Sequence, residues 1–81
     1  MVLTMYTTKN CRTCKRVETI LKAEGYELNV IPANLSRETE RILRDARVDG
    51  YPAIFKGMNY LGSGIIAMHK VDPDINISKY R

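Results

Sequence analysis

The chain has 81 residues, 44% of them hydrophobic, and a formal net charge of +4. This length predicts a single small domain, 1–81, and the apolar content argues against a disordered chain. No apolar run reaches the roughly 18 to 20 residues that a membrane-spanning helix needs, and the apolar start is too short for a secretory signal. We therefore expect a soluble, cytoplasmic monomer without a membrane role.

The chain has only two cysteines, and they lie three residues apart. Small secreted domains usually carry several cysteines as a disulfide framework. A loop as short as the one between Cys11 and Cys14 adds little to the stability of a fold. The pair is therefore predicted to be chemical rather than structural.

Four basic residues surround the cysteines: Lys9, Arg12, Lys15 and Arg16. A surface that binds nucleic acid usually has a larger basic patch, often with aromatic residues between the cations. The six aromatic residues of this chain do not interleave with the cluster. No nucleic-acid partner is expected.

The first half of the chain predicts a strand, a helix and a second strand. Val2–Tyr6 is apolar at both alternating positions, as in a strand buried on both faces. Cys11–Glu24 predicts a helix that ends at Gly25, and Glu27–Ile31 predicts a strand that stops at Pro32. This spacing is typical of a βαβ unit with parallel strands.

A second helix is predicted from a capping residue and an apolar stripe. Ser36 can cap its start, and acidic residues in the first turn suit the helix dipole. Thr39, Ile42, Leu43 and Ala46 lie at spacings of three and four residues. These four residues are predicted to form the buried face of the helix.

The second half predicts a hairpin followed by one short helix. Ala53–Phe55 and Tyr60–Leu61 are expected to pair around a turn of three or four residues. A turn at Gly62-Ser63-Gly64 then leads into a helix over Ile65–Lys70, and Pro73 keeps that helix from continuing. The last eight residues fit either an edge strand or a tail packed on the domain.

The resulting order, β-α-β-α-β-β-α, predicts an α/β domain. Its simplest compact form is a four-stranded mixed sheet flanked by helices on both faces.

The motif Cys11-Arg12-Thr13-Cys14 follows a strand and opens a helix. Two cysteines at this spacing also occur in zinc sites, which need four ligands. His69 is the only other cysteine or histidine in the chain, so one chain cannot supply such a set. No metal is expected, and His69 is predicted to cap its helix or lie on the surface. The redox interpretation of the motif is therefore favoured.

Helix geometry gives the two cysteines different roles. Cys14 shares an apolar face with Val17 and Leu21, whereas Cys11 lies on the opposite, polar face. The thiolate is the reactive form of a cysteine, and helix-start amides and nearby cations favour it. The pKa of Cys11 is therefore expected below the ordinary value of about 8.5. Cys11 is predicted to attack substrate disulfides, and Cys14 to release the product.

From Val2 to about His69, the sequence resembles the glutaredoxins. The motifs that carry the resemblance are Tyr6-Thr7 at the strand end, Cys11-x-x-Cys14, Tyr51-Pro52 before a short strand, and Gly62-Ser63-Gly64. The resemblance implies the minimal thioredoxin fold, with a cis Pro52 facing the cysteines. It also implies that the Tyr51 backbone pairs with an extended substrate, as in strand addition.

Together with the charge pattern, the resemblance indicates a set of substrate-binding residues. These are Lys9, Arg12, Thr13, Tyr51, Pro52, Ser63 and Gly64.

The chain differs from most glutaredoxins after Gly64, where Ile65 and Ile66 replace the acidic residue that holds the amino group of glutathione. The stretch from Ser63 is similar to that of NrdH-redoxins, glutaredoxin-shaped electron donors to ribonucleotide reductase that are reduced by thioredoxin reductase. The first hypothesis is therefore a dithiol reductase of protein disulfides, with ribonucleotide reductase as a candidate client.

Two alternatives remain open at this point. The chain could be a glutathione-dependent glutaredoxin, in which glutathione is the reductant and not a bound cofactor. It could also be an iron–sulfur or metal carrier, or a redox-inert binding module.

Overall fold

A four-stranded mixed sheet forms the centre of the protein, in a computed structural model that describes residues 2–80. The elements follow the predicted order: β1 (Val2–Thr7), α1 (Arg12–Ala23), β2 (Glu27–Pro32), α2 (Arg37–Asp45), β3 (Ala53–Lys56), β4 (Asn59–Ser63), α3 (Gly64–Val71) and a 3₁₀ turn (Ile77–Tyr80). None of the helices within this range is long and apolar enough to cross a membrane.

The strand order is β2-β1-β3-β4, with β1 parallel to β2 and the other neighbours antiparallel. Tyr6 pairs with Ala53, and Ala53 pairs with Ser63. The carboxyl ends of β1 and β4 therefore lie at the same end of the sheet as the amino end of β3. The starts of α1 and α3 follow these strands and lie at that end too.

The sheet is covered on both faces, as the sequence predicts. On one face the buried side chains come from β1, β3, α1, α3 and the C-terminal tail: Leu3, Met5, Val17, Ile20, Leu21, Ile54, Ala67, Met68 and Ile75. On the other face a smaller cluster joins α2 to the sheet through Tyr6, Leu43, Ala53 and Phe55. The ring of Phe55 contacts the ring of Tyr6 edge-on within this cluster.

The predicted end of the first helix and the predicted N-cap of the second are confirmed. Cys11 is the N-cap of α1, and Gly25, just beyond its end, has a φ of +92° that favours glycine. The Ser36 hydroxyl caps α2 by accepting a hydrogen bond from the Thr39 amide, 3.1 Å away.

The buried face of α2 is narrower than predicted. Thr39 and Leu43 are buried, but Ala46 is only half-buried and Ile42 remains 39% exposed. Ile42 lies beside Met58, at the rim of the β3–β4 hairpin, where the small sheet no longer covers the helix. The prediction that Ile42 is buried is therefore wrong.

The β3–β4 hairpin differs from the prediction at both ends. Its turn has two residues, Gly57 and Met58, because Lys56 of β3 pairs with Asn59 of β4. At the other end, pairing of Ser63 with Ala53 keeps the chain in β4, so Gly62-Ser63-Gly64 is not a separate turn.

Pairing also continues beyond the predicted end of β2. Pro32 pairs with Thr7 and belongs to the strand, because an edge strand tolerates the missing amide of proline.

The C-terminal segment is a packed tail. Ile75 is buried in the main core, and the Tyr26 hydroxyl donates a hydrogen bond to the Asp72 carboxylate at 3.0 Å. Between Asp72 and Tyr80 the structure contains a 3₁₀ turn and no strand. The edge-strand alternative is therefore wrong for these residues, and Arg81 lies outside the described residues.

Candidate active site

Cys11 and Cys14 form a disulfide, with their Cα atoms 5.2 Å apart. Cys11 is half-buried, whereas Cys14 is only 3% exposed. The order of exposure agrees with the sequence prediction. An incoming reactant therefore meets the sulfur of Cys11 before that of Cys14.

The start of α1 places the Cys11 sulfur against a backbone amide. Cys11 has the extended backbone of an N-cap residue, and its Sγ accepts a hydrogen bond from the Cys14 amide at 3.1 Å. Amides in the first turn of a helix lack partners within the helix. After reduction, the same amide can stabilise a thiolate at Cys11, because hydrogen bonds to ionised acceptors are the stronger ones.

Cys14 is shielded because it belongs to the apolar stripe of α1. Val17, Ile20 and Leu21 continue this stripe and are almost completely buried against the sheet. The stripe sets the rotation of the helix about its axis. That rotation turns Cys14 inward and leaves Cys11 at the rim.

Exposed cations surround the accessible sulfur. Arg12 and Lys15 line a cleft of about 420 Å³ together with Asn10 and Cys11. The first turn of α1 contains no acidic residue. After reduction, the positive charges of Arg12 and Lys15 would favour the thiolate over the thiol at Cys11. Asn10 turns the chain into the helix with a φ of +61°, a conformation that asparagine tolerates better than most residues.

The loop before β3 lies at the same end of the sheet as the cysteines. Its Tyr51–Pro52 peptide bond is cis, as the resemblance implies, and Pro52 is buried. The Pro52 carbonyl accepts a hydrogen bond from the Gly64 amide at 2.9 Å. Gly50 passes so close to Ser63 that a Cβ at position 50 would lie 2.9 Å from its Oγ.

The predicted substrate-binding residues fall into two groups. Lys9, Arg12 and Thr13 are exposed and adjoin Cys11 in the chain. Tyr51, Pro52, Ser63 and Gly64 belong to the loop before β3 and to the junction of β4 with α3. The pairing of Tyr6 with Ala53 places both groups at one end of the sheet.

The Tyr51 side chain has a second environment. It is half-buried, packs on the α2 side of the sheet and lines a cavity of about 230 Å³ with residues that include Leu43 and Val48. Its ring therefore anchors the loop, while its backbone lies next to Pro52.

Asp49, which no sequence pattern singled out, connects this loop to β4. Its Oδ1 accepts hydrogen bonds from the Tyr60 hydroxyl at 2.8 Å and from the Ser63 hydroxyl at 3.3 Å. The Tyr60 hydrogen bond is the largest cause of a lowered pKa at Asp49, and Ser63 and Lys70 act in the same direction. Burial, followed by the hydrogen bond to Asp49, raises the pKa of Tyr60. The partners of Asp49 lie 11 and 14 residues away in the chain, so no local sequence motif indicates this cluster.

His69 is half-buried in the last turn of α3. Within residues 2–80, no three His, Cys, Asp or Glu side chains are grouped so that they could hold a metal ion.

No family model and no curated protein matches the sequence. Two solved structures are similar to this chain, each with 16% sequence identity. A mutant of a thioredoxin-like protein matches with a TM-score of 0.64, over 76% of this chain and 85% of that one. The holo form of glutaredoxin C1 from Populus tremula x tremuloides matches with a TM-score of 0.68, over 89% of this chain and 75% of that one.

The similarity to both structures extends over most of each chain. It agrees with the predicted minimal thioredoxin fold. The chain therefore has a thioredoxin-like fold, with a disulfide-forming Cys-x-x-Cys pair at the start of its first helix.

Proposed function

We propose that this protein is a thiol–disulfide oxidoreductase that reduces disulfides in other proteins. One observation carries the proposal: a half-exposed cysteine caps a helix and is bonded to a buried cysteine one turn further along. A disulfide that closes a loop this short contributes little to stability, so its value lies in being formed and broken.

The reaction starts from the dithiol form. The Cys11 thiolate attacks one sulfur of the substrate disulfide, and the other substrate sulfur leaves as a thiolate that takes up a proton. Cys14 then loses its proton and attacks Cys11, which releases the second substrate thiol. Two electrons have passed to the substrate, and the protein holds the Cys11–Cys14 disulfide seen in the structure.

The substrate is proposed to bind along the end of the sheet that carries both groups of predicted binding residues. Tyr51 offers backbone groups to an extended chain, in the manner of strand addition. Its neighbour Pro52 is fixed by the hydrogen bond from Gly64. Lys9, Arg12 and Thr13 are exposed next to Cys11 in the chain and are proposed to contact the substrate there.

We propose thioredoxin reductase as the source of electrons and ribonucleotide reductase as a candidate client. The start of α3 supports this choice over glutathione. Gly64 is followed by Ile65 and by Ile66, which is 71% exposed, so an apolar side chain stands in that turn instead of a carboxylate. A reducing compartment such as the cytoplasm suits a protein that acts as a dithiol.

A coupled assay tests the proposal. NADPH oxidation is followed with a disulfide protein as substrate, in the presence of thioredoxin reductase or of glutathione with glutathione reductase. We expect turnover with thioredoxin reductase. Turnover only with the glutathione system would mean that glutathione, and not thioredoxin reductase, is the reductant. A pre-reduced protein that reduces no substrate disulfide would contradict the function itself.

A further inference from the structure

The net charge of the protein is concentrated around Cys11. Residues 1–17 contain four basic residues, Lys9, Arg12, Lys15 and Arg16, and no acidic one. The rest of the chain has nine basic and nine acidic residues, so it carries no net charge. The formal charge of +4 therefore belongs to the segment that holds the cysteines.

The structure does not neutralise this cluster with its own carboxylates. All four cations are exposed. Three ion pairs occur within residues 2–80, and they join Lys22 to Glu18, Arg41 to Asp45 and Lys79 to Glu24. The cluster thus takes part in none of the ion pairs found in the described part of the chain.

The cluster also has a shaped surface. Arg12 and Lys15 border the cleft of about 420 Å³ that Cys11 also lines. Asn10 supplies a neutral polar wall. A group bound in this cleft therefore lies beside Cys11 and the side chains of two cations.

We propose that the physiological substrate carries its disulfide in an acidic protein segment, whose carboxylates bind in this cleft beside Cys11. The inference deepens the proposed oxidoreductase function and rests on it. A neighbouring cation is enough to favour a thiolate, whereas four cations in one segment, two of which line the cleft, also attract an anionic partner. The cluster then selects substrates by charge before any sulfur reacts.

Electrostatic attraction of this kind acts mainly on the rate of encounter. Charged clefts raise association rates by roughly ten- to a thousandfold at low salt, and the gain falls steeply with ionic strength. The Debye length shrinks from about 10 Å at 0.1 M salt to about 3 Å at 1 M. Selection by charge should therefore disappear in concentrated salt.

Three synthetic peptides test the inference. Each contains the same intramolecular disulfide, and its flanks are made acidic with Asp and Glu, neutral with Asn and Gln, or basic with Lys. The pre-reduced protein is mixed with each peptide, and the second-order rate constant for oxidation of the Cys11–Cys14 pair is measured. We expect the acidic peptide to react about tenfold faster than the neutral one at low salt, and about equally fast at 1 M salt.

Charge reversal at the cleft is compared with the same change elsewhere. R12E should abolish or invert the preference for the acidic peptide over the neutral one. K56E changes the net charge equally, but Lys56 lies at the hairpin end of β3, away from the cysteines, so it should retain the preference. The ratio of the acidic-peptide rate to the neutral-peptide rate separates electrostatic attraction from thiol reactivity. A changed Cys11 pKa would alter the rates of both peptides by the same factor.

Different results would overturn the inference and the proposed function. Equal rates for the three peptides at low salt would overturn the inference and leave the oxidoreductase function intact, as would an equal loss of preference in R12E and K56E. A dithiol that none of the peptides oxidises would contradict the proposed function, and the inference with it.

Discussion

Two helices start at the same end of the sheet, and their surroundings are opposite. At α1, the amide of Cys14 donates a hydrogen bond to the Cys11 sulfur, and the charged residues nearest in the chain are all basic. At α3, the N-cap residue Ser63 makes no capping hydrogen bond with its side chain and instead donates to Asp49. At the start of α3, the Asp49 carboxylate interacts with the N-cap residue, and we call this the balanced helix start. The first turn of α1 contains no acidic residue and can take an anion from outside, so we call it the open helix start.

The largest effects are expected when the two cysteines at the open helix start are replaced one at a time. C11S should lower disulfide reduction to the background level, because it removes the attacking thiolate. C14S should keep the first attack and accumulate a mixed disulfide with substrate, which mass spectrometry of the trapped complex detects. If C11S traps the substrate and C14S does not, the assigned roles are reversed.

The second prediction concerns what holds α1 in place. L21A should lower the free energy of unfolding by about 2–5 kcal/mol, because Leu21 is fully buried in the main core. The matched control R16A, on the exposed face of the same helix, should change it by less than about 0.5 kcal/mol. Urea denaturation of each variant measures this free energy of unfolding. Equal effects would show that burial of the apolar stripe does not position the cysteines.

The smallest effect is expected at the balanced helix start. The folded state lowers the pKa of Asp49, chiefly through the Tyr60 hydrogen bond, from its ordinary value of 3.8. Its stabilising contribution is therefore complete above that value and is lost as the pH falls through the lower folded pKa. D49N should be less stable than the unmodified protein at pH 6 and should approach it in stability near pH 2.

Thermal unfolding at several pH values measures this convergence. D74N changes an exposed carboxylate in the C-terminal segment and serves as the control. A stability difference between D49N and the unmodified protein that stays constant from pH 6 to pH 2 would contradict the role given to the Asp49 carboxylate.

The open helix start could be predicted from the sequence because its determinants are local. The spacing of Cys14, Val17 and Leu21 fixes which face of α1 is buried, and the cations lie within a few residues of Cys11. The strand–helix alternation likewise predicted the order of the elements. Periodicity and capping act over a few residues, so the sequence displays them directly.

The balanced helix start could not be predicted in the same way. The Asp49 cluster depends on the register of β3 and β4, which brings together residues that are distant in the chain. That register also carried the strand through Gly62 and Ser63, where the glycines had suggested a turn. Likewise, the exposure of Ile42 depends on how far the hairpin extends across α2, which the helical pattern does not contain.

The proposed mechanism depends most on the ionisation of the Cys11 sulfur, and alkylation tests this most directly. The reduced protein is treated with iodoacetamide between pH 4 and pH 10, and peptide mapping follows the rate at each cysteine. We predict that Cys11 reacts first and that its rate reaches half its maximum below pH 8.5, the ordinary pKa of a thiol. Faster alkylation of Cys14, or a Cys11 midpoint at or above pH 8.5, would contradict the proposed mechanism.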